Sequence, residues 1–583
     1  MTNPRGFFLG DRIRVMEVSE LVRSLLVKRG VENDADVSAF LNPDYELHTH
    51  DPFLLQGMDI AVERLLLAVE RDERIAVYAD FDCDGIPGAA LLSDLFNKIE
   101  YSNFEVYLPH RDREGYGFHT EAIAALAARD VKLIITVDVG TTAIEAVAYA
   151  KEKGIDVIVT DHHEPIREPS ASNGPGISGQ LPDAVAVLNP KLSPYPFPHL
   201  CGAAVAFKLA QAVIEEGHKR GLKQFAAIPL GWEKWLLDMV AIATVADMVP
   251  LVGENRALTH WGLQVLRKSP RPGIRALCAK LRLRQDELSE SDIGFSIAPR
   301  VNAASRMDEP DLALRLLVTR DVAEAEAAAA QLEKLNARRK GVVASLVKQA
   351  RAHVKERFTD SDRVVVLGNP EWKPALLGLA ANSIIGDRGG IVCMWGRDGN
   401  GKLKGSCRSD GDVSLVDLFR NAGDVFEESG GHAASGGFTV SHEHVHRLPE
   451  ALARAMETLP PRSDAAALEH DLLLTLPDMS AALFKEVSRM APFGVGNPKP
   501  LFLLSNTTIV GVKRFGKENN HVEVMLECRE SGVSARAFEF FKSPADFSLE
   551  PAPGQFANLL ATIERDSYRG GLALRIVDIV AAS

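Results

Sequence analysis

No two of the six cysteines, Cys83, Cys201, Cys278, Cys393, Cys407 and Cys528, are spaced as CxxC. That excludes a zinc knuckle, offers no disulfide framework and fits reduced thiols. Long apolar runs are also missing, since nothing reaches the roughly 18 residues of a membrane span. Met1 to Val15 mixes Arg5, Asp11, Arg12 and Arg14 with only a short apolar stretch, so a soluble cytoplasmic protein is expected. An excess of positive charge is missing too. The net charge of -13 runs against the Lys and Arg surplus with which phosphate backbones are bound.

What is present is ordinary folded protein. With 583 residues, 46% hydrophobic and 25% charged, the chain has room for about three or four domains. Its charge is unevenly spread. Arg256, Arg267, Lys268, Arg271, Arg275, Lys280, Arg282 and Arg284 follow one another with no carboxylate between them. Lys334, Arg338, Arg339, Lys340, Lys348 and Arg351 form a second basic set on a long helical pattern. Either set suits a solvated helix face or a nucleic-acid contact.

Leu21, Leu25, Leu26 and Val31 predict a helical segment over 17–42, ended by Pro43, and a further helix spans 59–71. The period then changes. Arg74 to Ala79, Phe104 to Leu108, Leu133 to Val137, Val157 to Thr160 and Ala184 to Leu188 are short β-branched runs separated by helical stretches, the pattern of a parallel sheet covered on both faces. Glu164 to Asp183 is a Pro, Gly and Ser-rich loop, and 232–357 is mostly helical. A second α/β pattern follows, and after Pro460 and Pro461 six short strand patterns predict a small antiparallel barrel. The expected organisation is an N-terminal helical segment (1–60), an α/β domain (61–260), a helical connector (261–357), a smaller α/β domain (358–460) and a C-terminal barrel (461–583).

The acidic residues fall where chemistry is expected. Asp80, Asp82 and Asp84 follow the first strand, Asp138 the third, and Asp161, His162 and His163 the fourth. In an open parallel sheet the carboxyl ends of the strands converge on one crevice. Carboxylates crowded there repel one another unless a cation neutralises them. Oxygen ligands with one or two imidazoles suit Mn or Mg. Two such ions can clamp a phosphodiester, with Asp138 as the bridging ligand. The duller readings are an EF-hand-like loop at Asp80-x-Asp82-x-Asp84-Gly85, which lacks its Glu because Leu91 stands there, and an N-cap at Asp161 followed by surface histidines. Joint placement after successive strands favours the metal.

These motifs resemble the DHH phosphoesterase family, and the whole chain is similar to the RecJ-type single-stranded-DNA exonucleases. The resemblance lies in ADFDCDG (79–85), TVDVG (136–140), TDHHEP (160–165), ATVADMVPLVGENR (243–256), APRVNAASRMD (298–308) and SGGHAASGG (429–437). The last two resemble the family's link to its DHHA1 domain and that domain's glycine-rich signature. Position by position, Asp82, Asp84, Asp138, His162 and Asp247 match metal ligands, and Asp80 completes the first motif. His163 matches a histidine on the substrate phosphate. Arg111 resembles an arginine near the DNA end. Arg300, Asn302, Arg306, Ser406, Arg408, Ser409 and His432 match positions lining a phosphate cleft between the two α/β domains. Cys83, Val139, Lys373 and Cys407 depart from the family's usual residues, and none of these departures removes a ligand.

The resemblance implies a parallel-sheet DHH domain and a smaller DHHA1 domain joined by a long helix, with an OB-fold barrel behind them. It implies two Mn or Mg ions activating water, with His163 and Arg306 stabilising charge on the phosphoryl oxygens. It also implies 5′ to 3′ release of mononucleotides in DNA repair and recombination, with a helicase and a single-strand-binding protein as partners; a monomer is expected. In the barrel, Lys513, Arg514, Phe515 and Lys517 place charge beside a ring, as in single-strand grooves. Two alternatives are a phosphodiesterase for nanoRNA or cyclic dinucleotides, which has little need of a barrel, and a non-catalytic scaffold, which would be free to lose ligands.

Overall fold

The computed structural model describes residues 18–165, 180–192, 194–359, 361–411, 413–431, 433–459, 469–516, 519–566 and 569–582. The chain divides into two compact units.

The larger unit takes in 51–247 and 262–465. Its first sheet is formed by β1 (Ile75–Ala79), β2 (Phe104–Tyr107), β3 (Leu133–Val137), β4 (Asp156–Thr160) and β5 (Ala186–Leu188). The order is β2-β1-β3-β4-β5 and every pairing is parallel. β1 and β3 are buried at every residue, which explains their unbroken apolar sequences. Neighbouring β1 and β3 connect in opposite directions, so the carboxyl ends of these two strands flank the topological switch point, where such sheets hold ligands.

Helix Val322–Arg357 follows the connector helices and, at 36 residues, is about 54 Å long. It leads to a mixed sheet of β6 (Val364–Gly368), β7 (Ile391–Arg397), β8 (Leu403–Ser409), β9 (Glu428–Gly431) and β10 (Ser435–Val440), ordered β6-β7-β8-β10-β9. Only β6 and β7 pair in parallel. Cys393 and Cys407 are register partners across β7 and β8 and are joined as a disulfide, which corrects the expectation that all six cysteines are reduced. Their opposition depends on strand register, which spacing along the chain does not show.

The smaller unit takes in 1–50, 248–261 and 466–583. β12 (Phe502–Phe515), β13 (His521–Glu527), β14 (Ser534–Phe540), β16 (Leu572–Ala581) and β15 (Phe556–Arg565) close into a barrel through the β12–β15 pairing, and the short β11 (Leu472–Leu474) joins β12 in parallel. The barrel is not wholly antiparallel, because β14 and β16 also run parallel. The N-terminal pattern resolves into two helices, Glu20–Val27 and Asp34–Leu41, each capped by the side chain before it, Ser19 and Asn33. Val22, Leu25, Leu26 and Val37 share one core with Phe502, Val522 and Ile576 of the barrel.

Part of the first basic stretch is structural. In the smaller unit, Arg256 is 2% exposed, lies over the Phe40 ring at 3.7 Å, and donates to the carbonyls of Phe40 (2.7 Å) and Ala491 (2.9 Å). In the larger unit, Arg271 binds Asp238 (2.7 Å) and Asp94 (2.6 Å), and Arg267 donates to the Leu288 carbonyl. These guanidiniums satisfy backbone and carboxylate groups inside the protein. Arg275, Lys280 and Arg282 are exposed.

Candidate metal centre and phosphate cleft

Each acidic residue of the cluster is held by local structure. Asp84 stands at the start of helix Gly85–Lys98. Its carboxylate accepts hydrogen bonds from Gly202 N and Ala203 N, both 2.7 Å, at the start of helix Gly202–Lys219. A helix N-terminus offers unpaired N–H groups and a positive dipole end, so it suits a buried carboxylate. Asp82 accepts from Asp84 N at 2.8 Å and so closes the DFDCDG turn on itself. Gly85 is required, since a β-carbon there would stand 2.2 Å from the Asp80 carbonyl oxygen. Asp138 has φ 62, a conformation uncommon outside glycine. Asp247 caps the C-terminal end of the apolar helix Leu237–Ala246.

Asp161 is a holder of other groups. It is 1% exposed and accepts from Thr141 N (2.8 Å), His162 N (2.7 Å) and His163 Nδ1 (2.7 Å). Burial would raise its carboxyl, but the His163 hydrogen bond and the two imidazoles hold it well below the usual carboxylate range. His163 answers in kind: burial would lower it, yet Asp161 and the other carboxylates push it up to about 9. Asn189 fixes the turn by donating to the His163 carbonyl at 2.9 Å.

The expected ligands come together. His162 Nε2 lies 3.2 Å from Asp138, 3.6 Å from Asp247 and 3.7 Å from Asp84. Ligand atoms of Asp84, His162 and Asp247 fall within 4.8 Å of one another, as do those of Asp80, Asp82 and Asp138. Asp138, His162 and His163 form a third such group, which shares His162 with the first and Asp138 with the second, so three adjoining three-ligand groups exist among the described residues. Burial first, and neighbouring carboxylates second, push Asp80 and Asp247 up to about 8 and Asp84 to about 6, and raise Asp138 well above its ordinary value. Asp80 Oδ1 and Asp138 Oδ1 are buried with no hydrogen-bond partner; His162 Nε2 is near Asp138 Oδ1 without bonding to it. Orphaned buried oxygens in a crowd of mutually repelling carboxylates fit a hard divalent cation.

Several further groups surround the cluster. Arg111 lies over the Phe81 ring at 4.6 Å, within reach of the charge of Asp80 and Asp82. Arg306 is pushed down to about 9 by burial and by Arg111, Arg339 and Arg408, and its Nη1 donates to the Ala375 carbonyl at 2.5 Å. Arg408 donates to Ser406 Oγ at 2.8 Å. It fits because residue 378 is glycine, where a β-carbon would stand 2.3 Å from Arg408 Nη2. Neither Arg306 nor Arg408 forms an ion pair among the described residues, so the pair suits an anion. Asn302 Oδ1 accepts from Cys83 N at 3.0 Å and so supports the DFDCDG turn.

Two expected cleft residues are turned elsewhere. Arg300 is committed to Glu333 at 2.9 Å. Ser409 lies on the opposite face of β8 from Ser406 and Arg408, because strand side chains alternate, and its hydroxyl donates to the Val413 carbonyl. His432 and Lys517 lie outside the described residues. Sequence reasoning missed Gly202, Gly378, Asn189 and Tyr116, whose hydroxyl is 3.1 Å from His163 Nδ1. Gly202 opening an apolar helical run was the available signal. In the barrel, Lys513 and Arg514 are exposed and Phe515 joins a cluster of rings.

The fold and the site define a DHH-type phosphoesterase architecture. The DHH family N-terminal domain matches residues 74–244, the DHHA1 domain 361–459 and the RecJ OB domain 470–578. The chain belongs to the RecJ family. It is 30% identical over 580 residues to the single-stranded-DNA-specific exonuclease RecJ of Escherichia coli, covering 96% of this chain and 95% of that one. It is 33% identical over 527 residues to the Bacillus subtilis protein of the same name, covering 90% of this chain but 63% of that relative's length. The crystal structure of RecJ in complex with Mn2+ from Thermus thermophilus superposes with a TM-score of 0.74 at 26% identity, covering 97% of this chain and 79% of that one.

Proposed function

We propose that the chain is a metal-dependent exonuclease that hydrolyses the phosphodiester bonds of single-stranded DNA from the 5′ end, releasing 5′-mononucleotides. The observation that carries this reading is the gathering of Asp80, Asp82, Asp84, Asp138, His162 and Asp247 at the switch point of the first sheet, with two buried carboxylate oxygens left without a donor. These six residues would hold two Mn or Mg ions. Ions bound there supply charge neutralisation and activation of water towards phosphorus.

The remaining work falls to the protein's own side chains. Asp161 holds Nδ1 of His163, which leaves Nε2 of a charged imidazole to donate to a phosphoryl oxygen. Arg306 and Arg408, with Ser406, would bind the terminal phosphate, and Arg111 would orient the strand end. Asn302 acts behind them by holding the turn that carries Asp82. The substrate class rests on the relatives, which are named single-stranded-DNA-specific exonucleases. A monomer supplied with ends by a helicase, beside a single-strand-binding protein, completes the reading.

The test is hydrolysis of end-labelled single-stranded DNA with and without Mn, on substrates with and without a 5′-phosphate. Mononucleotides released only with metal and only from unpaired ends are expected. Activity confined to dinucleotides or cyclic dinucleotides, or no hydrolysis at all, overturns the reading.

A further inference from the structure

One loop of the first α/β domain, residues 110–117, serves the metal centre. Arg111 reaches the cluster over the Phe81 ring, and Tyr116 reaches His163. The loop is a closed turn: the His110 carbonyl accepts from Arg113 N, Glu114 N and Gly115 N (3.1, 2.8 and 3.3 Å), while the Glu114 carboxylate accepts from His110 N at 2.5 Å and from the Tyr107 hydroxyl at 2.7 Å. Its far end is anchored on the first sheet, where the Tyr78 hydroxyl donates to the Gly117 carbonyl at 2.8 Å.

The outer side of this loop is held by the second α/β domain. β7 and β8 are joined by a tight turn in which Asp398, 6% exposed, accepts from Asn400 N (2.9 Å) and Lys402 N (2.8 Å). The tip of that turn meets the loop: Asn400 Nδ2 donates to the Arg113 carbonyl at 2.6 Å, and a β-carbon at Gly399 would stand 3.2 Å from Asp112 Oδ2. Lys404 Nζ, paired with Asp398 at 3.2 Å, would stand 3.4 Å from a β-carbon at Gly115. Lys404, Ser406 and Arg408 alternate onto one face of β8, roughly 7 Å apart. The row that ends at Arg408 therefore begins at the loop that carries Arg111. A second tie lies beside Arg306: Lys373 pairs with Asp308, two residues past Arg306, next to the hydrogen bond from Arg306 to the Ala375 carbonyl. Neither the loop nor the turn needs the Asn400 contact to hold its own shape, since Glu114 closes one and Asp398 the other.

We infer that Asn400 is a positioning residue: by holding the Arg113 carbonyl it fixes the gap between Arg111 on one wall of the phosphate cleft and Ser406 and Arg408 on the other, and so selects strands whose 5′ end carries a phosphate. The inference deepens the proposed function and rests on it for the group that fills the cleft. Arg111 and Arg408 both depress Arg306, so the three guanidiniums address one space. A terminal phosphate brings about two negative charges to that space, whereas a diester within a strand brings one. With Lys373 still tied to Asp308, losing the Asn400 contact opens the cleft on the Arg111 side, while Tyr78 keeps the other end of the loop at the metal centre. Recognition of the strand end then suffers and hydrolysis itself does not.

The experiment compares two 3′-labelled oligothymidines of equal length, one with a 5′-phosphate and one with a 5′-hydroxyl, by fluorescence anisotropy with the full chain in the absence of divalent ions. The parent is expected to bind the phosphorylated probe about tenfold more tightly, equivalent to one charge-assisted contact. N400A should cut that preference about threefold, the share of one hydrogen bond. G399L, whose side chain wedges against Asp112, should bring it near unity. N400Q keeps the amide donor and should keep the preference. Binding of the hydroxyl probe, melting temperature and, with Mn, hydrolysis of the hydroxyl substrate should stay at parental values in all three. An unchanged preference in both N400A and G399L overturns the inference. So does an equal loss on both probes, which a merely structural contact would give, and so does a parent that binds the two probes alike. Absence of hydrolysis alongside the expected binding pattern would defeat the proposed function alone.

Discussion

Gly202 packs directly against Asp138: a β-carbon at 202 would stand 2.5 Å from Asp138 Cβ and 2.9 Å from its Oδ1. The same residue's N–H donates to Asp84 at 2.7 Å, so one glycine sets the positions of two candidate ligands that follow different strands. Gly202→Ala must displace one of them. An error of about 1 Å at a catalytic constellation costs on the order of a hundredfold. Gly202→Ala is therefore expected to lose about a hundredfold in kcat and to need more Mn for half-maximal rate, measured by a metal titration of hydrolysis. Wild-type rate at wild-type Mn concentration contradicts this.

Asp138→Asn should abolish hydrolysis while the fold persists. It should also do something less usual for a change at a buried residue. In the metal-free protein burial first, and the neighbouring carboxylates second, oppose the charged form of Asp138, and the uncharged amide escapes that cost. The metal-free variant is expected to melt roughly 2–4 °C above the metal-free parent, while the gain in melting temperature on adding Mn disappears. Differential scanning calorimetry reads both quantities.

The same opposition to charge sets a pH dependence. Asp80 and Asp247 rise from 3.8 to about 8 in the folded chain, which therefore holds protons that the unfolded chain has lost. Stability of the metal-free protein must fall as pH rises from about 4 to about 8. His163, raised to about 9, acts in the same direction: its contribution is complete below about 6.5 and lost as pH passes 9. Mn competes with those protons, so its effect on melting temperature should grow between pH 6 and 8. A gain that is flat or shrinking over that window is the contrary result.

Arginines of the first basic stretch should separate into two kinds. Arg271 is enclosed by Asp94 and Asp238, and removing one member of a buried ionic group typically costs about 3–5 kcal/mol. Arg271→Ala is expected to shift the urea midpoint strongly. Arg284, fully exposed beside Asp286 and Glu287, should leave it unchanged when replaced by Ala. Equal midpoints for the two variants would show that the buried network contributes nothing.

Much of the candidate centre was legible because its signals are local. The unbroken run Leu133–Val137 announced a buried strand, and Asp138 came next in the chain. Asp80, Asp82, Asp84, His162 and His163 likewise followed strands. Parity and partnership were not legible. Arg256 and Arg300 look like free cations in sequence, and only the fold shows one inside a core contact with Phe40 and the other paired with Glu333. Ser409 was grouped with Arg408 by adjacency, although adjacent strand residues face opposite ways. Gly378 gave no sign of its function because the Arg408 side chain it admits lies 30 positions away.

The order of strands and helices, the residue types able to hold a divalent cation, and their positions at strand ends were determined by the sequence alone, since hydrophobic period and turn chemistry act over a few neighbours. Tertiary structure decided which atoms meet. Asp84 finds its backbone donors 118 and 119 residues away, Cys393 meets Cys407 through strand register, and Phe515, His521 and Phe540 form one row only when three strands align. Such contacts depend on register and on which face a side chain takes, and both are set by how whole elements pack.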